Sequence, residues 1–164
     1  MAAIRALTFF VDKHEKVRDD LVERGLLVWM EEISSNLKGE VSLQIAIVQF
    51  IFQCLKKKNW PLMTKCMPAI RSLFTVFNSV VSLYPFEQSQ EPQQWSEKYA
   101  SRCLFFVLLG FELIYDRNRT LFEMMAIQQN MHEPLIRLTR YAKDLQTVQR
   151  AMSIISGLCA ARKL

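Results

Sequence analysis

Helical periodicity, broken at matched places along the chain, constrains this sequence more than any other feature. No run alternates apolar and polar residues at period two for long enough to make a sheet, while apolar residues recur at helical spacing throughout. Only 4 Gly and 5 Pro occur in 164 residues, against plentiful Leu, Ile, Met, Gln, Glu, Lys and Arg. Helix breakers are therefore scarce and helix formers common. The fold class that follows is all-α, in one domain spanning 1–164 and long enough to bury a sizeable core.

The helices come in an order. The opening AAIRALTFFVD reads as a helix entered without a cap or loop, as expected of a piece of a longer protein or of an unpaired first helix. A short helix follows over 14–24, its charges solvating it, and Gly25 closes it with a left-handed cap. LLVWMEEISSNL is a medium helix with Leu26, Leu27, Trp29, Met30 and Ile33 inward, and a long one spans about 40–57. The order then restarts. WPLMTKC is short, PAIRSLFTVFNSVVSLY carries Pro68 in its first turn, and WSEKYASRCLFFVLLGFELIYD is long. Between the last two, PFEQSQEPQQ is a polar, proline-containing loop. A third round is NRTLFEMMAIQQ, MHEPLIRLTRYAK and LQTVQRAMSIISGLCAARK.

Short, medium, long, three times over, is the pattern of a helical solenoid. Gly25 and Cys66, at equivalent turns, lie 41 residues apart, and Cys66 and Asn130 lie 64 apart, the excess falling on the polar loop and a longer third helix. HEKVRDDLVERGLLVWM resembles the armadillo consensus, in which a short polar helix ends in an apolar pair, a Gly and a second helix. QIAIVQFIFQCLKKKN and YASRCLFFVLLGFELIYDRN are similar to its third helix, and VQRAMSIISGLC to the same element with small residues at Ala151 and Gly157. The resemblance implies a right-handed solenoid of about three armadillo-like repeats over 13–58, 59–116 (with an insertion loop at 84–95) and 117–164. Asn130 stands where the family has Gly.

Catalytic and metal chemistry find no foothold in the motifs. His14 and His132 are the two imidazoles, both near turns or short helices, and no nucleophile elbow, glycine-rich phosphate loop or HExxH motif occurs. The pairs Asp19–Asp20 and Glu31–Glu32 point to different sides of a helix and do not converge. Cys54, Cys66, Cys103 and Cys159 are widely spaced within apolar segments, as expected of four reduced, buried thiols in an intracellular protein. The expectation is a protein without enzymatic activity, cofactor or metal, and without a membrane span, since its apolar windows fall short of about 20 residues.

Function is then expected on a surface. In a solenoid the third helices line a continuous concave face. On it would lie Gln49 and Gln53 from the first, Arg102, Phe105, Leu108, Leu109 and Glu112 from the second, and Gln149, Arg150 and Ser153 from the third. An apolar centre rimmed by Gln and Arg suits a peptide or amphipathic helix of a partner protein. The armadillo resemblance implies the same mode of binding. However, the asparagine ladder of importin-like members is replaced by Gln49, Gln53, Leu108 and Ser153, which argues against a nuclear-import receptor. The alternative is nucleic acid or an acidic partner on a basic surface of Lys56, Lys57, Lys58, Lys65, Arg71, Arg117 and Arg119, in a chain of net charge +5. A third possibility is that the first or last helix stacks end-on against the rest of a larger protein or a second copy.

Overall fold

The structure is a computed structural model and describes residues 2–36, 41–56, 65–85 and 97–161. Among these residues it is all-helical, with nine helices. They are α1 (Ala2–Lys13), α2 (Glu15–Glu23), α3 (Leu26–Asn36), α4 (Val41–Lys56), α5 (Met67–Val81), α6 (Glu97–Arg117), α7 (Arg119–Gln128), α8 (His132–Tyr141) and α9 (Leu145–Ala161). None of them is long and apolar enough to cross a membrane. Most of the short helix expected over WPLMTKC and most of the loop expected at 84–95 lie outside the described residues.

Local chemistry explains the punctuation. Gly25 holds φ +85°, and the Asn130 joint matched to it holds φ 51°, the left-handed region that Gly and Asn tolerate best. Pro68 sits in the first turn of α5, where its missing N–H costs nothing. The Asn118 side chain accepts from the Leu121 N–H at 3.0 Å and caps α7, while Asp144 accepts from both the Thr147 N–H and its hydroxyl to cap α9. Each cap satisfies a donor that a helix start leaves orphaned.

Two rows of helices result. α4 packs between α1 and α6, and α6 also packs on α9; α3 packs on α5, and α5 on α8. The core is largely aliphatic and includes a cluster of aromatic rings from α5, α6 and α7. Phe111 lies 4.6 Å from Phe74, 5.3 Å from Phe77 and 5.7 Å from Phe122, centroid to centroid. All four are buried, and burying each such side chain contributes about 1.5–3 kcal/mol.

Three expectations about burial fail, each for a packing reason. Trp29 is 49% exposed, because Leu27 and Met30 take the inward side of α3. Cys159 is exposed on α9 although Cys54, Cys66 and Cys103 are buried. The charges of α2 do not all meet solvent: the Arg18 side chain is fully buried, its guanidinium 3.0 Å from Glu15 and 2.8 Å from Asp19.

Candidate functional site

The long-helix row α1–α4–α6–α9 carries most of the residues expected on a binding face. At its α1 side, Gln49 and Gln53 of α4 line a shallow cleft with Arg5, Thr8, Phe9 and Asp12 of α1. The Gln53 Oε1 atom is buried and has no hydrogen-bond partner among the described residues. Phe9 is mostly exposed beside it.

Also on α4, Phe52 meets Phe106 of α6 at 5.9 Å, and Phe106 meets Phe105 edge-on at 5.2 Å. All three rings are half-buried. The guanidinium of Arg150, from α9, lies over the Phe105 ring at 5.4 Å and forms an ion pair with Glu112 of α6. An aromatic line therefore crosses from α4 to α6 and ends beneath a cation from α9. Cation–π geometry of this kind is attractive on its own, and the carboxylate holds the guanidinium in place.

The structure brings Phe105, Glu112 and Arg150 into one cluster and puts Gln49 and Gln53 in another on the same row. Leu109 is half-buried, and Arg102, Gln149 and Ser153 are exposed. Leu108 is not on this face: it is fully buried, one residue and about a quarter-turn from Leu109. Phe9, Phe52 and Phe106 were missed by sequence reasoning. Phe52 could have been found, since it lies three residues from Gln49 on the helical wheel.

The expected basic stripe fares differently. Arg71 makes a two-pronged contact with Glu31, at 2.6 and 2.9 Å. Lys65 pairs with Glu23, and Arg119 with Glu123. Arg117 donates to the main-chain carbonyls of Leu55 and Lys56. Lys56 is exposed, while Lys57 and Lys58 lie outside the described residues. Four of these cations thus have partners within the fold, tying helices to one another or to their own turns.

A second concavity lies at the other end. Ala126, Ile127, Leu135, Ile136, Ile155 and Leu158, from α7, α8 and α9, line an apolar cleft of about 350 Å³ whose edge carries Glu123, Asn130, His132 and Cys159. Compared with protein-family models, curated proteins and solved structures, the chain matches none.

Proposed function

We propose that the chain is an armadillo-like stack of about three units that acts as a protein–protein interaction scaffold. It receives a peptide or an amphipathic helix of a partner along the α1–α4–α6–α9 side. The stacking reading draws support from the packing of each long helix on the next and of each medium helix on the next. Two matched joints with positive φ at Gly25 and Asn130 add to it.

The observation that carries the binding reading is the half-buried line Phe52–Phe106–Phe105, rimmed by polar groups. Aromatic anchors surrounded by a polar rim are what protein interfaces enrich. Gln53 supports it further, because a buried carbonyl oxygen lacking a donor among the described residues is suited to a main-chain N–H of a docked segment. The nucleic-acid alternative is weaker, since Arg71, Lys65, Arg117 and Arg119 are engaged within the fold.

The test is affinity capture from native lysate with the wild type, a Phe105→Asp/Arg102→Glu variant and an Ile127→Asp control, each checked for unchanged helicity. Partners lost from the double variant and kept by the control support the groove. If every partner survives the folded double variant, the reading fails.

A further inference from the structure

Resting on the binding reading proposed for the α1–α4–α6–α9 side, we propose that the segment received there is acidic. Its large apolar side chains anchor on the phenylalanine line while its carboxylates meet Lys98, Arg102, Arg5 and Lys56. The helices divide the charge between the two rows. The long helices α1, α4, α6 and α9 hold seven Lys and Arg against four Asp and Glu, whereas α2, α3, α5, α7 and α8 hold six against eight. Ion pairing sharpens this difference. Three of the four carboxylates of the long row are already matched, Asp12 by Lys13, Glu97 by Lys143 and Glu112 by Arg150. Asp116 has no ion pair among the described residues, and neither do Arg5, Lys56, Lys98 and Arg102, all of them exposed. Arg117 is turned to the carbonyls that end α4. Four unmatched, exposed cations therefore stand against a single unmatched carboxylate.

These cations stand beside the apolar anchors. On α6, Arg102 and Lys98 precede Phe105 by three and seven residues, which sets them on its strip of the helix. On α4, Lys56 follows Phe52 by four residues. Arg5 lines the α1–α4 cleft with Gln49 and Gln53. A basic segment would bring like charges together along the aromatic line, whereas an acidic one pairs them and is steered to the row before contact. Nucleic acid would meet the same cations, but the rings favour side-chain anchors. Phe105 has the Arg150 guanidinium over its ring and Phe106 nearly at right angles to it, and Phe52, Phe105 and Phe106 are half-buried. Bases stack on open ring faces.

The probe is a displayed library of random linear peptides, selected on the whole chain at physiological ionic strength. Enriched peptides are expected to combine large apolar residues with an excess of Asp and Glu. Selection on a Lys98→Glu/Arg102→Glu variant, checked for unchanged helicity, should lose that excess. A synthetic copy of the leading peptide, followed by fluorescence anisotropy, should bind this variant about tenfold more weakly than the wild type, and added salt should narrow the ratio. Peptides enriched without an acidic excess, or bound equally by the variant, overturn the proposal. If Phe105→Asp nevertheless abolishes their binding, the groove reading survives that result. A library that yields no binder overturns the proposal. So does displacement of the peptide by an equal concentration of a single-stranded oligonucleotide, which would assign the cations to phosphates.

Discussion

Arg150 stands 5.4 Å over the Phe105 ring while its guanidinium is paired with Glu112, so α9 is latched to α6 through a single side chain. Both charged partners are about 30% exposed, which limits the latch to a modest contribution. A double-mutant cycle on Arg150→Ala and Phe105→Leu should give a coupling of about 0.5–1 kcal/mol. Chemical denaturation of the four proteins measures it, and a coupling indistinguishable from zero would show that the ring and the cation are neighbours without being partners.

The joints at Gly25 and Asn130 make opposite predictions. Gly25→Ala forces a Cβ into φ +85°, although no atom lies within 4 Å of where that Cβ would go. Its cost of about 1 kcal/mol is therefore conformational strain. Asn130→Gly removes a side chain from the same backbone region and should be neutral or slightly stabilising, whereas Asn130→Val should cost more than Gly25→Ala. Thermal melts of the three variants rank them.

At Gly110 the limit is space. A Cβ there would stand 2.7 Å from Cδ1 of the buried Leu73, across the α5–α6 contact. Overpacking costs about 1–3 kcal/mol, and the gain in helix propensity offsets about 1 kcal/mol of it. Gly110→Ala should thus destabilise the wild type yet become neutral or stabilising in a Leu73→Ala background. A penalty of equal size in both backgrounds would remove Leu73 as its cause.

Buried Arg18 tests whether its charge or its volume matters more. Glu15 and Asp19 are at least half exposed and can return to water when the guanidinium is lost. Arg18→Ala leaves a cavity beneath α2 and should cost about 2–5 kcal/mol. Arg18→Met keeps the stem and should cost clearly less. Equal losses in urea titrations of the two variants would mean that the ion pairs dominate.

Alkaline pH should weaken the fold through groups that burial holds protonated. Burial raises the Cys54 and Cys103 thiols, pushes Cys66 up to about 11, and raises Tyr84 to about 12 from an ordinary value near 10.0. For an acid whose folded pKa exceeds its unfolded one, the stabilisation is complete below the unfolded value and is lost as pH climbs through the folded one. Melting temperature should therefore begin to fall as the pH passes 9.0, the ordinary thiol value, and continue falling towards 12. Tyr84→Phe should flatten the upper part of that decline. In the native protein at neutral pH only Cys159 should alkylate readily, since the other three thiols are both buried and protonated.

Several helix boundaries were legible because single residues punctuate them: Gly25, Pro68, Asn118 and Asn130 all act where the local sequence places them. The candidate face was legible only in part. α6 is apolar on nearly every side, so Leu108 and Leu109 look alike in sequence, and only packing against neighbouring helices assigns one to the core and the other to the surface. The pairing of the basic residues was hidden for a related reason. Glu31 lies 40 residues from Arg71 and Glu23 lies 42 from Lys65, and no local pattern announces a partner at that distance.

Arg117 carries a consequence for how the molecule is made. The carbonyls of Leu55 and Lys56, at the last turn of α4, are received by a guanidinium 62 and 61 residues downstream. Emerging from the ribosome, α4 has no such donor until α6 has been synthesised and folded beside it. The end of α4 is thus completed in arrears, its closing hydrogen bonds supplied by α6.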